Sequence, residues 1–365
     1  MFATHATTNT TLSPAMPMRR LGTSTIEVSL LCLGTMNWGQ QNTEAQAFEQ
    51  MTYALEAGIN FWDTAEIYAV PLDATTCHAT ERMIGNYFAT HGQRERVILA
   101  TKVAGRTRGG ITWLRGRDGQ HCHNRENIIE ALDGSLQRLQ TDYIDLYQLH
   151  WPDRGVNVFG TRYYSSKLQH ADTHFEDVVS TVGELIEAGK IREWGLSNET
   201  PWGVMQWFHW ADKLGVKRPA SIQNAYSLLN RQYEVALAEI SHYEGIGLIN
   251  YATLACGLLS GKYHNQTATP DCRINKYPDY WARYDTSTAR EATADYIALA
   301  KHLGITPTQL AMAFVNQQPF LSSNIIGVTS LAQLEECISS VAIHLDDDTL
   351  RAIDAIDARY GSPCS

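Results

Sequence analysis

The sequence predicts one α/β domain, a single (β/α)8 TIM barrel with an N-terminal hairpin and extra helices near the C-terminus. Short apolar runs typical of buried strands alternate with segments of helical period along nearly the whole chain. Eight such strands precede or follow helices, and no block of different character interrupts them. This alternation is typical of a parallel sheet covered by helices, and eight units fit a closed barrel.

Composition narrows the class of protein further. A chain of 365 residues with 44% apolar residues can form one barrel with a sizeable core. The net charge of -10 argues against binding to nucleic acid or to an anionic membrane surface. No apolar run approaches the roughly 20 residues of a membrane span. Seven scattered cysteines, an odd number, fit reduced thiols in a cytoplasmic protein better than disulfides.

The first 17 residues differ from the rest of the chain. They are rich in Thr and contain no Lys, Arg, Asp or Glu. They therefore lack the basic start and the long apolar stretch of a secretory signal. We predict a flexible tail at 1–17 and a barrel domain at 18–365.

The elements follow in order from a small hairpin at 19–28. Thr43 and Gln46 form a capping-box pattern at the start of the first helix, which Gly58 ends. Pro201 suits the first turn of a later helix. Strands are predicted at 30–33, 59–62, 97–101, 143–149, 191–196, 220–223, 247–251 and 324–328. The other helices are predicted at about 80–91, 125–139, 176–188, 231–243, 289–318 (a pair), 331–340 and 346–359. Long loops at 104–123 and 152–175 and an insertion at 263–288 remain.

Chemically active side chains follow three of these strands. Asp63 and Tyr68 come after the second strand, Lys102 after the third and His150 after the fourth. A tyrosine can act as a general acid if its pKa of about 10 is drawn towards neutrality. A shift of about 3 units corresponds to roughly 4 kcal/mol, so a nearby cation is needed. In a barrel, Lys102 and His150 would meet Tyr68 at one rim, because active sites lie at the C-terminal ends of the strands.

Further polar residues also follow strands and would converge on the same rim. They are Asn37, Ser197, Asn198, Gln223, Tyr251 and Thr329. The chain has no G-x-G-x-x-G motif at a strand–helix turn, which argues against a Rossmann-type cofactor site. A dinucleotide would have to be held by side chains and loops of the barrel rim.

Asp63, Tyr68, Lys102 and His150 together resemble the catalytic tetrad of the aldo-keto reductases. The resemblance covers about Met18 to about Ala358 and is closest to the bacterial Tas-like subgroup of NADP(H)-dependent members. The segments that carry it are 138–143, 145–152 (Asp-Leu-Tyr-Gln-Leu-His-Trp-Pro), 195–200 (Gly-Leu-Ser-Asn-Glu-Thr), 222–224, 227–231, 257–263 (Gly-Leu-Leu-Ser-Gly-Lys-Tyr) and 325–327.

The resemblance implies NADPH-dependent reduction of a small aldehyde or ketone to an alcohol. Tyr68 would donate a proton to the carbonyl oxygen as hydride arrives from the nicotinamide. Lys102, paired with Asp63, would lower the pKa of Tyr68, and His150 would orient the carbonyl. NADPH/NADP+ is the implied cofactor, ahead of NADH.

The resemblance also implies a cofactor site and a substrate pocket. The implied cofactor residues are Thr35, Met36, Asn37, Ser197, Asn198, Gln223, Tyr251, Thr253, Leu254, Gly257, Leu258, Ser260, Lys262, Gly327, Thr329, Gln333 and Glu336. Trp38 and Trp151 would form aromatic walls of the substrate pocket. Where some relatives bind the 2′-phosphate through basic residues this chain has Gly327 and Gln333, so Arg273 or Arg283 of the insertion would have to supply that charge.

The chain departs from the usual family pattern at two positions, and two alternative interpretations of the chain arise. Ala252 stands where a serine is usual, and Cys337 where an asparagine is common. Cys77-His78 and His121-Cys122-His123 contain good zinc ligands, but they lack paired C-x2-C spacing, and we predict no metal site. From another functional class, a cofactor-sensing subunit resembling the potassium-channel β-subunits is the alternative to an enzyme. The sequence indicates neither the physiological substrate nor the oligomeric state.

Overall fold

The computed structural model describes residues 15–107, 111–116, 121–161, 163–165 and 173–364. Most of the tail predicted at 1–17, and parts of the loops at 104–123 and 152–175, lie outside these ranges. Within them, eight parallel strands close into a barrel in chain order, with the last strand beside the first, and an antiparallel hairpin precedes the barrel. The predicted TIM barrel with an N-terminal hairpin is therefore confirmed.

The described strands are β1 Met18–Arg20, β2 Glu27–Ser29, β3 Leu31–Gly34, β4 Phe61–Asp63, β5 Ile98–Val103, β6 Ile144–Leu149, β7 Ile191–Ser197, β8 Ser221–Ala225, β9 Gly247–Tyr251 and β10 Leu321–Ile326. The described α-helices are α1 Glu44–Glu56, α2 Ala79–His91, α3 Arg125–Leu139, α4 Phe175–Glu187, α5 Pro201–Leu214, α6 Leu237–Glu244, α7 Arg273–Lys276, α8 Ser287–Leu303, α9 Pro307–Asn316, α10 Leu331–Ser339 and α11 Asp347–Tyr360.

Local signals set several boundaries close to their predicted positions. The Thr43 side chain accepts from the backbone of Gln46 and the Gln46 side chain accepts from the backbone of Thr43, which is a complete capping box at the start of α1. Pro201 occupies the first turn of α5, as predicted. The helix expected at 231–243 is instead a 3-10 turn, Gln232–Val235, followed by the shorter α6. The last barrel strand lies at 321–326 rather than 324–328.

The hairpin closes the N-terminal end of the barrel. Leu21 and Val28 from the hairpin region pack against Cys32, Phe61 and Leu146, which point into the barrel interior from three strands. All five side chains are fully buried. Because this end is filled with apolar side chains, a ligand can enter only from the opposite end, where the strands terminate.

A larger apolar core lies between the strands and the surrounding helices. Apolar faces of the helices cover the outer face of the barrel, which explains why its parallel strands are nearly continuous apolar runs. In the described part of the chain, no helix combines the length and apolar character needed to cross a bilayer.

Candidate active site

Lys102 lies at the centre of a buried polar cluster at the C-terminal end of the barrel. Its side chain is 0% exposed. The ammonium group donates to Asp63 Oδ2 at 2.6 Å, to the carbonyl oxygen of Thr64 at 2.8 Å and to the Tyr68 hydroxyl at 3.3 Å. An ammonium group has three donors, so these three partners use all of them. The cation is thereby fixed between a carboxylate and a phenol.

Two glutamine amides hold the other oxygen of the Asp63 carboxylate. Gln148 Nε2 donates to Asp63 Oδ1 at 3.1 Å, and Gln223 Nε2 donates to the same oxygen at 2.8 Å. Gln223 Nε2 also donates to Gln148 Oε1 at 3.1 Å. Gln148 was not among the predicted site residues, although its position two residues before His150 on a buried strand was a usable signal. Both oxygens of the carboxylate therefore accept hydrogen bonds, which fixes the carboxylate opposite Lys102.

His150 packs beside Tyr68 as a neutral imidazole. Their ring centroids are 5.5 Å apart in an edge-to-face arrangement. Burial lowers the pKa of His150 well below its usual value, and the neighbouring Lys102 charge adds to this effect. Within the described residues, the buried Nδ1 atom has no hydrogen-bond partner. The neutral ring retains one donor and one acceptor nitrogen.

The pKa of the Tyr68 phenol differs from the expectation. Burial raises this pKa above its usual value, and Lys102, which lowers it, does not outweigh burial. The nearby Asp63 carboxylate also raises it. Lys102 thus lowers the pKa of Tyr68, as predicted. The prediction of a net decrease in this pKa is wrong, because burial has the larger effect. The phenol stays protonated across the ordinary pH range, as a proton donor must.

A second chain of hydrogen bonds connects Tyr251 to the tetrad. The Tyr251 hydroxyl donates to Asn198 Oδ1 at 2.6 Å. Asn198 Nδ2 donates to the carbonyl oxygen of His150 at 2.9 Å and to Ser197 Oγ at 3.0 Å. Ser197 Oγ in turn donates to the carbonyl oxygen of Gln223 at 3.0 Å. Residues from the ends of four strands are therefore held in one rigid group.

One cavity of about 1030 Å³ opens over this group. Its size is at the upper end of ordinary ligand sites. Asp63, Tyr68 and His150 line it, and Lys102 lies directly behind them. The cofactor residues implied by the sequence that also line it are Thr35, Met36, Ser197, Asn198, Gln223, Tyr251, Thr253, Leu254, Gly257, Ser260, Lys262, Gly327, Thr329, Gln333 and Glu336. Cys337 and Ala252, the two departures, line it as well.

Besides Lys102, three of the predicted site residues do not line this cavity. Leu258 is buried in the apolar core. Asn37 is buried, but its Oδ1 accepts from Arg273, which does line the cavity, at 2.6 Å. Trp38 is 0% exposed within the core, and its Nε1 donates to Gln50 Oε1 at 3.0 Å. The expected role of Trp38 as a pocket wall is wrong, because the indole turns inward to satisfy its N–H against α1.

Trp151 does line the cavity, next to a wall that the sequence did not reveal. Its Nε1 donates to the carbonyl oxygen of Arg106 at 3.0 Å, which fixes the indole. Apolar residues from the loops after β4, β5 and β6 and from the insertion complete this wall. They are Ile67, Val70, Leu72, Ile111, Val156, Val158, Phe159, Tyr280, Trp281 and Tyr284. These loops have no periodic pattern, so the sequence does not indicate which of their side chains face the cavity.

Three cations also line the cavity, namely Lys262, Arg273 and Arg283. In the described ranges, none of these three forms an ion pair with a carboxylate, although the chain as a whole carries a charge of -10. A partly buried cation without a carboxylate partner indicates a place for an anionic ligand. These cations suit anionic groups on the ligands of the cavity, such as phosphates or carboxylates.

The residues considered as metal ligands participate in other interactions. His78 Nδ1 lies 2.5 Å from the carbonyl oxygen of Glu66, and Arg115 forms a buried ion pair with the Glu66 carboxylate. His123 Nδ1 lies 3.7 Å from Asp153 Oδ1. In the part of the chain that the structure describes, no group of three or more His, Cys, Asp or Glu side chains is arranged to hold a metal ion.

Comparisons with known proteins agree with this architecture. A sequence model described as the aldo/keto reductase family matches residues 30–358. The chain is 44% identical over 348 residues to "Protein tas" of Escherichia coli (strain K12), covering 95% of this chain and 99% of that protein. It is 38% identical over 285 residues to "Aldo-keto reductase" of Babesia bovis, covering 73% and 98% respectively. It is also 34% identical over 340 residues to "Uncharacterized oxidoreductase YrpG" of Bacillus subtilis (strain 168), covering 92% and 94%.

These matches define the class of protein. The family model matches nearly the whole barrel, and the barrel contains a buried Asp–Lys pair beside a tyrosine. Together these features define an oxidoreductase. The chain belongs to the aldo/keto reductase family.

Proposed function

We propose that the protein reduces aldehydes or ketones to alcohols with NADPH as hydride donor. The single observation that carries this proposal is the contact of Lys102 with both Asp63 and Tyr68 at the base of the cavity. It places a protonated phenol where a carbonyl oxygen can reach it, supported by a cation that stabilises the phenolate after proton transfer.

The cavity suits a dinucleotide. It extends from Tyr68 to the start of α10, where Thr329 and Gln333 line it and backbone N–H groups favour an anion. Between these ends a Cβ at Gly257 would lie 2.8 Å from the Lys262 side chain, so a glycine keeps the path beside this cation open. When bound, the nicotinamide supplies the hydride that becomes the new C–H bond of the alcohol.

The residues of the tetrad have separate tasks. Tyr68 transfers its proton to the carbonyl oxygen, and Lys102 stabilises the phenolate left behind. Asp63 keeps Lys102 charged and in position. His150, neutral at ordinary pH, donates a hydrogen bond to the carbonyl oxygen from one ring nitrogen and so orients the substrate.

The nicotinamide end would be held by the second chain of hydrogen bonds. Both N–H donors of the Gln223 amide are used by Asp63 and Gln148. Its carbonyl oxygen is then available to accept from the carboxamide of the nicotinamide. The Tyr251 ring, fixed through Asn198, would stack on the nicotinamide and select which face delivers the hydride.

Arg273 is the candidate for recognising the 2′-phosphate that distinguishes NADPH from NADH. Its guanidinium is bonded to Asn37 after β3 and lies 4.0 Å from the Cβ position of Gly327 after β10. A guanidinium suits a phosphate because it can donate two parallel hydrogen bonds.

No disulfide joins the seven cysteines, all of which lie in the described part of the chain. This supports our further proposal of a cytoplasmic location.

A fluorescence titration followed by an aldehyde screen tests the proposal. NADPH should quench tryptophan fluorescence more tightly than NADH. NADPH should then be consumed steadily with a panel of aliphatic and aromatic aldehydes, and alcohol should form in equal amounts. Tight NADPH binding with negligible turnover on every aldehyde would reject the reductase and support a cofactor-sensing subunit.

A further inference from the structure

Arg283 is a cation held in place by aromatic side chains at the mouth of the cavity. Its guanidinium donates to the Tyr284 hydroxyl at 2.8 Å and lies 4.7 Å from the Tyr284 ring centroid. The Phe159 ring centroid, from the loop after β6, is 5.6 Å away. Tyr284 is buried, whereas Phe159 is 54% exposed. The guanidinium therefore lies where the cavity wall meets solvent, and contacts with the two rings fix it there.

No carboxylate among the described residues pairs with this guanidinium. Within the described residues Arg283 has no ion pair, whereas Arg290 on the neighbouring helix α8 pairs with Asp285 at 2.6 Å. Asp285, the residue after Tyr284, thus pairs with Arg290 and not with Arg283. A half-buried arginine that lines a cavity and retains free donors is arranged for an anionic ligand.

The contacts of Arg283 favour the substrate end of the cavity. The guanidinium lies 5.6 Å from the Phe159 ring centroid, and a Cβ at Gly160 would be 3.5 Å from the Arg283 side chain. Both residues belong to the loop after β6, which also supplies Val156 and Val158 to the apolar wall. Burial raises the pKa of the Tyr251 phenol, and Arg283 is the first of the charges that oppose this rise, so Arg283 also lies near Tyr251. Arg273, from the same insertion, bonds to Asn37 instead.

We propose that Arg283 binds a carboxylate on the carbonyl substrate, so that the preferred substrates are aldehydes with an apolar body and an anionic group at the far end. This inference rests on the proposed reductase function and names the substrate class of that site. The apolar wall formed by Trp151, Val156 and Val158 accommodates the body of such a molecule. Arg106, an exposed arginine that also lines the cavity, adds a second positive charge near the entrance.

A matched pair of aromatic aldehydes tests the proposal. 4-Carboxybenzaldehyde and methyl 4-formylbenzoate have the same ring and aldehyde, but only the first carries a negative charge. The wild-type protein should favour the carboxylate in kcat/KM. Arg283→Gln should lower kcat/KM for the carboxylate by about 10- to 100-fold, the range expected for one charge-assisted contact, mainly through KM. The methyl ester should change by less than about threefold.

Two further variants separate a direct contact from a general effect of charge. Arg283→Lys keeps the charge but not the fork of donors, and should restore part of the preference for the carboxylate. Arg359→Gln removes an exposed arginine on α11, far from the cavity lining, and should leave the ratio of the two substrates unchanged. Equal ratios in the wild-type and Arg283→Gln proteins would overturn the proposal. So would an Arg283→Gln protein that loses both substrates equally and binds NADPH more weakly, since Arg283 would then contact the cofactor.

A binding measurement decides the matter without turnover. Benzoate is a non-reactive carboxylate with the same apolar ring, and its affinity for the NADP+-saturated protein can be measured by calorimetry. We expect Arg283→Gln to weaken benzoate binding at least tenfold. Unchanged benzoate affinity would reject the role of Arg283 even if neither aldehyde is reduced. Failure of turnover with both aldehydes, by contrast, would count against the reductase function alone.

Discussion

The Lys102 ammonium lies 2.6 Å from the Asp63 carboxylate, and the two side chains are only 0% and 4% exposed. A pair this deep inside the protein is stable because each charge compensates the other and because amides complete the carboxylate's hydrogen bonds. Loss of either partner leaves an uncompensated charge in a medium that cannot solvate it. Stability and the proposed proton transfer therefore depend on the same two residues.

Removing the cation should destabilise the fold. Lys102→Met is expected to lower the free energy of unfolding by about 3–5 kcal/mol, the cost of breaking a buried pair on one side. The double variant Asp63→Asn/Lys102→Met should recover part of that loss, because no buried charge then remains. Urea denaturation of the three proteins measures both effects. If the double variant is no more stable than Lys102→Met, the charge on Asp63 is not the cause.

Removing the phenol hydroxyl should abolish the chemistry and spare the binding. Tyr68→Phe deletes the proposed proton donor, and we expect kcat for aldehyde reduction to fall by about 100- to 10,000-fold. NADPH should still quench tryptophan fluorescence with nearly the same affinity, because the cofactor residues are untouched. Near-normal turnover in this variant would show that another group is the acid.

The two arginines of the insertion should affect different measurements. Arg273→Gln is expected to weaken NADPH binding by about 10- to 100-fold, since a charge-assisted contact with a phosphate is lost. NADH, which has no 2′-phosphate, should bind equally well to the variant and to the wild type. Fluorescence titration with both cofactors gives the ratio, and Arg283→Gln serves as the matched control. An equal loss of affinity for NADPH and NADH would indicate that Arg273 contacts the pyrophosphate, which both cofactors contain.

Acid should destabilise the protein through His78. Burial lowers the pKa of His78 to about 4, whereas an unfolded histidine titrates near 6.5. Below about pH 6.5 the unfolded chain takes up a proton that the folded protein does not accept until about pH 4. The stabilisation is therefore complete above the unfolded pKa and is lost as pH falls, by at most about 1.4 kcal/mol per pH unit. His78→Gln should flatten this slope in urea denaturation at pH 7, 6 and 5. Parallel slopes in the two proteins would contradict the prediction.

Trp38 should behave as a core residue. Trp38→Phe removes the hydrogen bond to Gln50 and leaves a small void, and we expect a loss of about 1–3 kcal/mol in the free energy of unfolding. KM for every aldehyde should remain near its wild-type value. Trp151→Ala should have the reverse pattern, with a changed KM, because that indole lines the cavity. A changed KM in the Trp38→Phe protein would indicate that Trp38 contacts the substrate after all.

The sequence was sufficient to predict the barrel and to predict that the tetrad residues lie at one rim of it. Strand ends in a closed parallel barrel share one rim, so Asp63, Lys102 and His150 could be placed together from alternation alone. Trp38 shows the limit of this reasoning. Position after a strand does not determine whether a side chain turns to the cavity or to a helix, and here a partner on α1 decided it.

Other parts of the site depended on contacts between distant loops. Nothing periodic marks Phe159 or Arg283, and only the folded chain brings them to 5.6 Å. The buried pair of Glu66 and Arg115 is a similar case, although Glu66 is only two residues from Tyr68 and was visible as an acid beside the proposed proton donor. The net rise in the pKa of Tyr68 also required the structure, because burial cannot be read from the order of residues.

The apolar hairpin at the base of the barrel has a practical consequence. Leu21 and Val28 occupy the end of the barrel opposite Tyr68, and the described residues just ahead of Met18 lie at the same end, where Met16 packs beside Gly58. A fluorescent protein or affinity handle fused directly to residue 15 would leave the catalytic mouth unobstructed. Immobilisation through that residue would likewise present the entrance to solution rather than to the supporting surface.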